Sequence, residues 1–210
     1  MEDTTRQPSR KERERQAHRH EILDAAETVF IRNGYYHATV EQIAQEAEFA
    51  VGTLYNFFKG KGEMYAQVIE RIAEEFMVKL DSEVLSLDDP IEALTALIEL
   101  RLRHFEAHRG FFRVFFESSP GSHMDPVSAL PDSCKGLYER YLGEVSKIVE
   151  RGIASGMFRK TDPLCQALCI EGIVNASVSY WSRQDTLDAL ATRIAKMTDA
   201  LLAWIRTGKD

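Results

Sequence analysis

The sequence predicts an all-α protein, with an N-terminal three-helix helix-turn-helix head followed by a larger C-terminal helical body, about nine helices in total. Three observations predict it. Apolar residues recur three and four positions apart along nearly every segment, the period of a helix with one buried face. No segment reads as a strand bounded by turn residues. The breakers at Asn33-Gly34, Gly60 to Gly62, Ser86 to Pro90, Gly110 and Asp162-Pro163 cut the chain into pieces of helical length.

Residues 1–16 read as a basic flexible arm that grades into a first helix over 12–33, where Ile22, Ala25, Ala26, Val29 and Phe30 form one stripe. Asn33-Gly34 supplies its stop. Tyr35, Tyr36 and His37 read as packing aromatics on the way to Thr39. Thr39 is placed to cap a short second helix, with Gln42 completing a capping box and Glu41 in the positive first turn. Val40, Ile43, Ala44 and Ala47 give that helix its apolar face. After a turn at 48–50, a third helix over 51–58 buries Val51, Leu54 and Phe58 and presents Gly52, Thr53, Tyr55, Asn56 and Lys59 outward. Hydroxyls, an amide, a phenol and a cation around a glycine equip a helix to approach a phosphate backbone and to offer donors to base edges. A helix that only packs has no need of that outer face.

The run AVGTLYNFFKGKGEMY closely resembles the recognition helix and the start of the next helix in TetR-family transcriptional repressors, whose usual form is roughly SxGTLYxYFxxKexLy. Gly52, Thr53, Leu54, Tyr55, Phe58 and Lys61 fall in register, preceded by Ile43, Ala44 and Ala47 and by Gly34-Tyr35. The resemblance covers residues 17–75, with an echo at GIASGMFRKTDP, which is similar to the loop before the last two helices of many relatives. Three positions depart from the pattern. Glu48 stands where a turn glycine is usual, so a bulky residue takes a left-handed conformation costing about 1–2 kcal/mol. Ala50 replaces a serine and loses a cap worth about 1 kcal/mol. Phe57 replaces a tyrosine or histidine, so no side-chain hydrogen bond reaches phosphate from there.

The resemblance implies a head over 17–62, a linking helix over 63–85 and a regulatory and dimerisation domain over 86–210. It implies a homodimer on a pseudo-palindromic double-stranded operator, one recognition helix per major groove, released by a small-molecule effector. The candidate DNA-binding residues are then Thr39, Val51, Gly52, Thr53, Tyr55, Asn56, Lys59 and Lys61. Thr53 and Lys61 would hold phosphate, Tyr55 phosphate or a base edge, and Asn56 a base edge. Val51 would touch a thymine methyl, and Gly52 would let the backbone come close.

In the linking helix Met64, Tyr65, Val68, Ile69, Ile72, Phe76 and Leu80 make the buried stripe. A helix over 90–108 follows, with Ile91, Leu94, Leu97, Ile98, Leu102 and Phe105 inward. In the next segment Phe111, Phe112, Phe115 and Phe116 exceed what one narrow stripe buries, so they fill a thick core or line a cavity. A Pro-, Gly- and Ser-rich loop over 118–133 covers a pocket mouth or is simply mobile. The candidate effector lining is Arg101, His104, Phe105, Phe112, Phe115, Phe116, Tyr138 and Tyr141, which favours an apolar or aromatic ligand with one polar end. A helix over 134–156 precedes two final helices over 163–182 and 185–207. The first of these is apolar on more than one side and needs two partners. Leu164, Leu168, Gly172, Val174 and Ala176, with Leu190, Ile194, Met197, Leu201 and Trp204, form the candidate dimer interface, a four-helix arrangement about a two-fold axis.

With 210 residues and 44% hydrophobic content the chain can bury one large core, or a small and a medium one. A net charge of -7 argues against a nucleic-acid binder, yet Arg6, Arg10, Lys11, Arg13, Arg15 and Arg19 crowd near the N-terminus against only Glu12 and Glu14. That cluster either supplies counterion release on DNA or is a solvated tail. No apolar run approaches membrane-spanning length and the start is charged, so a cytoplasmic protein without a membrane partner is expected. Cys134, Cys165 and Cys169 suggest no disulfide framework, and Cys165 and Cys169, one helical turn apart, read as small core residues rather than a redox or metal pair. His104 and His108 have the spacing of a helical metal pair but no third ligand nearby in sequence, so packing is preferred and no metal or cofactor is expected. No phosphate-cradling loop or nucleophile motif stands out, so no catalytic residue is assigned. The competing class is a helical ligand-carrier or interaction protein that keeps a helix-turn-helix shape without reading DNA.

Overall fold

The computed structural model of the 210-residue chain describes residues 9–119 and 126–207, in two compact units, Met1–Val68 and Ile69–Asp210. Nine α-helices lie among the described residues. In the first unit α1 (Arg10–His37), α2 (Val40–Glu46) and α3 (Val51–Tyr55) form the head, α2 packing on both of the others. Helix α4 (Lys61–Glu83) contributes to both units.

Residues 10–16 form the first two turns of α1, which begins two residues before the helix expected over 12–33 and ends four residues after it. Ser9 and Glu12 make a reciprocal capping box, and Arg10 reaches Glu14 one turn on at 2.8 Å. The earlier part of the arm, Arg6 included, lies outside the described residues. Helix α1 kinks at Gly34, whose φ of 73° and ψ of 160° belong to a region essentially restricted to glycine. The core of the head is Ile22, Ala26, Val29, Phe30, Ile43, Ala44, Leu54 and Phe58, all buried.

The body contains α5 (Pro90–Ala107), α6 (Arg109–Ser118), a 3-10 turn at Pro126–Ala129, α7 (Asp132–Ala154), α8 (Pro163–Ser182) and α9 (Leu190–Ile205). Asp89 and Asp162 cap α5 and α8, each followed by a proline in the first turn, where its missing N–H costs nothing. Helix α5 is central, packing against α6, α7, α8 and α9 through a surface that includes Leu94, Leu97, Ile98, Leu102 and Phe105. Residues 120–125, in the loop considered as a pocket cover, lie outside the described residues. Helix α9 starts five residues later than its apolar stripe predicts. Asp188 stays outside it, giving its carbonyl to Arg193 Nε at 3.1 Å and its carboxylate to Lys196 at 2.6 Å. The buried Arg193 also pairs with Glu106 and lies 5.3 Å from the Trp181 ring, fastening α9 to α5 and α8.

The end of α9 is tied back to the α7–α8 loop. Arg159 N–H donates to Ile205 C=O at 2.9 Å and Thr207 N–H to Met157 C=O at 3.1 Å, around an antiparallel bridge between Phe158 and Arg206. This seats the fully buried Phe158 ring directly on Gly152 of α7, so that a Cβ at 152 would stand 2.0 Å from the ring.

Gly152→Ala therefore lowers stability by about 1–3 kcal/mol, since neither helix nor ring can yield freely. Gly143→Ala, on the same helix with nothing within 4 Å of the added carbon, should match or exceed the parent. Denaturant melts of the two variants check the contrast, and equal destabilisation would mean that the Phe158 seat is not what matters.

Candidate functional site

The outer face of the head is built on a turn that the sequence makes expensive. Glu48 has φ 59°, the left-handed conformation that side chains avoid, and it lets Phe49 N–H return to Ala44 C=O at 3.0 Å. Ala50 caps α3 without a side-chain hydrogen bond. The helix is also shorter than its pattern predicts, ending at Tyr55, with Asn56 as C-cap and Phe57 in the following turn. Leu54 and Phe58 fix its inner side. Gly52, Tyr55, Asn56 and Lys59 are exposed, Tyr55 to 53%, while Val51 and Thr53 are half-buried. Nothing lies within 4 Å of a Cβ added at Gly52, so the fold itself does not require a glycine there. Thr39 is exposed at the start of α2. Its hydroxyl accepts from Gln42 N–H at 3.3 Å and remains able to donate outward.

Lys61, expected at phosphate, has partners inside the head. Its ammonium donates to the carbonyls of Tyr35 at 2.8 Å, Ala38 at 2.9 Å and Tyr36 at 3.3 Å and sits 4.7 Å from the Tyr35 ring. An ammonium has three protons, and these three carbonyls take all of them, so Lys61 braces the segment 35–38. Two arginines of the N-terminal basic cluster also brace the head. Arg19 donates to Phe57 C=O at 3.1 Å and Gln67 at 2.6 Å and stacks on Phe58, while Arg15 lies 5.8 Å from the Phe57 ring.

In the body, α4, α5, α6 and α7, with Leu130, line a half-open cavity of about 160 Å³ with almost wholly apolar walls. Of the residues expected to line it, Arg101, His104, Phe112, Phe115, Tyr138 and Tyr141 do so. Phe105 and Phe116 do not, because they turn into the core, and Phe111 takes a place on the wall instead. The aromatic cluster thus serves both purposes. The α4 wall, Ile69, Ile72, Ala73, Phe76 and Met77, was not foreseen as lining, since nothing in its periodicity separates a cavity face from a packed one.

The polar corner of the cavity is Arg101. One of its terminal nitrogens donates to Glu171 at 3.0 Å and to Asn175 at 2.7 Å, both on α8, and its guanidinium lies against the rings of Phe76 and Tyr141. Tyr141 hydroxyl donates to the other Glu171 oxygen at 2.7 Å. Burial raises the Tyr141 pKa well above its ordinary value and the Glu171 charge adds to it, so the phenol stays protonated. Burial is the largest influence on Arg101 and opposes its charge, but Glu171, Tyr141 and Tyr138 together outweigh it and the pKa rises. Burial, then the neighbouring His108 and Arg101, push His104 down to about 3, leaving a neutral imidazole. Glu171 and Asn175 were missed in the sequence. The available signal was an acid in the middle of an otherwise apolar helix, where a carboxylate has to find a partner.

The candidate interface residues divide. Leu164, Leu168, Gly172 and Ala176 are exposed on α8, the leucines to 50% and 49%, and Trp204 is exposed on α9, with Leu190 and Ile194 half-buried. Val174, Met197 and Leu201 are buried in the protomer's own core and are not available to a partner, because their side of each helix faces the body. Cys165 and Cys169 are exposed rather than core, since the side of α8 that they occupy is the outward one.

Residues 22–68 match the family model described as bacterial regulatory proteins, tetR family, and residues 90–207 match that described as tetracyclin repressor-like, C-terminal domain. The chain is similar to the HTH-type transcriptional repressor NicS of Pseudomonas putida, 26% identical over 171 residues, 81% of this chain and 79% of that protein. It is similar to the fatty acid metabolism regulator protein of Bacillus subtilis, 24% identical over 79% of this chain and 84% of that protein. Its fold matches the crystal structure of the transcriptional regulator FadR from Bacillus subtilis in complex with stearoyl-CoA, with a TM-score of 0.73 at 21% identity, over 88% of this chain and 97% of that one.

The strained turn is open to test. Glu48→Gly removes the penalty at a left-handed residue and should raise stability by about 1 kcal/mol. A thermal melt shows it, and an unchanged or lower midpoint would mean that Glu48 carries no strain.

Proposed function

The chain belongs to the TetR family of bacterial transcriptional regulators, which bind operator DNA and small-molecule effectors and act as dimers, and we propose that it is a cytoplasmic homodimeric repressor released from a pseudo-palindromic operator by a small, neutral, largely aromatic effector. It is a regulator and not an enzyme. The observation that carries the reading is the surface of α3. Gly52 has no structural reason to lack a side chain, and it is flanked by exposed Tyr55, Asn56 and Lys59. A bare backbone among donors suits close approach to a duplex, with Thr39, Thr53 and Lys59 toward phosphates, Tyr55 toward phosphate or a base edge, Asn56 toward a base edge and Val51 toward a thymine methyl. Lys61 acts by holding the segment 35–38 in place.

The cavity supports the effector class. About 160 Å³ is close to the space that accommodates a single benzene ring, so a long acyl chain such as the one bound by the relative crystallised with stearoyl-CoA would require the walls to part. Glu171 already neutralises Arg101, so an anionic effector would bring an unpaired charge into an apolar site. A neutral ring with one hydroxyl or carbonyl fits the corner better. Such a ligand presses on α4, and a geometry it favours there need not suit the operator. The dimer is supported by Leu164, Leu168, Gly172, Ala176 and Tyr180, spaced by four along the exposed side of α8, with Leu190, Ile194 and Trp204 on α9.

Gly52→Ala separates function from fold. It should raise head stability by about 0.5–1 kcal/mol through helix propensity while weakening operator binding. Lys59→Ala should weaken binding to every duplex alike and reduce the salt slope by about one unit, and Asn56→Ala should relax preference at one position. If all three bind selected operator fragments as the parent does, α3 does not read DNA in this way.

For the cavity, Ala73→Leu on the α4 wall leaves operator binding intact and abolishes the thermal stabilisation given by single-ring probes such as indole or benzyl alcohol. Equal stabilisation of parent and variant would place the effector elsewhere.

A further inference from the structure

His104 in the last turn of α5 and His108, which caps its end, lie beside a third donor from another helix. His104 and His108 stand one turn apart with ring centroids 4.8 Å from each other, and Glu75 of α4 brings Oε2 to 3.3 Å from His108 Nε2. One donor atom from each of the three residues lies within 4.8 Å of the other two. His104 is 7% exposed, and its Nδ1 is buried with no hydrogen-bond partner among the described residues. A buried donor or acceptor left in that state keeps its full desolvation cost, so the arrangement calls for something to satisfy it. The second oxygen of Glu75 accepts from Lys79 Nζ at 2.6 Å, which aims the first toward the histidines, as outer hydrogen bonds do for metal-binding carboxylates.

We propose that Glu75, His104 and His108 bind one divalent transition-metal ion per protomer, of the zinc class. Two imidazoles and one carboxylate suit zinc, cobalt or nickel, whereas magnesium and calcium favour all-oxygen shells. Metal–donor bonds near 2.0–2.2 Å put tetrahedral ligands roughly 3.3 Å apart, so Glu75 and His108 already have the spacing and His104 completes it by side-chain rotation. Three protein ligands leave one position for water or another oxygen donor, the arrangement of an exchangeable site rather than a closed structural one. His104 also forms part of the cavity wall, so that position lies next to the space for an effector. Arg101 and Lys79 are the cations facing the site and keep its affinity moderate. With the ion in place the wall gains positive charge, and an effector that coordinates through oxygen becomes acceptable where a bare anion is not. The site ties α4 to α5 whether or not the cavity is filled, so its existence does not depend on the effector proposed above.

The test uses the full-length, tag-free protein, stripped with chelator and titrated with Co(II) and Zn(II). The expected result is one equivalent per protomer at micromolar concentration, with a tetrahedral or five-coordinate Co(II) spectrum lacking thiolate charge transfer. Glu75→Gln and His108→Ala each weaken binding about tenfold or more, while Cys165→Ser/Cys169→Ser leaves it unchanged. X-ray absorption of the zinc-loaded parent should report imidazole nitrogen and oxygen neighbours without sulfur, a readout that does not depend on any variant folding. No stoichiometric binding, binding indifferent to both ligand substitutions, sulfur in the shell, or loss in the cysteine double variant would each overturn the assignment.

Discussion

A guanidinium withdrawn from water has to be neutralised where it stands, and the body of this protein is arranged around one such group. Arg101 of α5 is answered by Glu171 and Asn175 of α8, and Glu171 in turn accepts from Tyr141 of α7. Three helices meet at one carboxylate. The angular setting of α8 follows, because turning it would strand both charges in an apolar interior. With Glu171 held inward, the stripe from Leu164 through Leu168, Gly172 and Ala176 to Tyr180 has to face out. The polar corner of the cavity and the exposed apolar side of α8 are thus two results of one ion pair.

What the sequence made legible was mostly local. The Thr39–Gln42 box, the proline starts of α5 and α8 and the left-handed turn at Glu48 each depend on residues within a few positions, and the structure carries them, while the stop expected at Gly34 is a kink in a helix that runs on to His37. Contacts between distant segments were not legible. Lys61 meets carbonyls more than twenty residues away, and Glu75 stands beside histidines on another helix, pairings that no periodicity encodes. Nor could the sequence divide its own aromatic cluster. Phe112 and Phe115 reach the cavity while Phe116 of the same short helix and Phe105 of α5 turn into the core, because the sides of α6 meet different neighbours.

The two sides of α8 show why an apolar count misleads. Leu164, Leu168, Cys165 and Cys169 belong to the same helix as Ile170, Val174 and Val178, yet the first four face solvent and the last three the core. Both groups are of similar hydrophobicity, and it is the buried Glu171 among the latter that tells them apart.

The kink at Gly34 has a chemical corollary. By breaking the helical path near the end of α1, it leaves the oxygens of residues 35, 36 and 38 around a common point, an open crown of peptide dipoles that the Lys61 side chain threads with its tip. Such a receptor recognises shape as well as charge. A compact tetrahedral cation satisfies three converging oxygens from a single atom, whereas the flat fork of an arginine spreads its protons over three nitrogens and cannot.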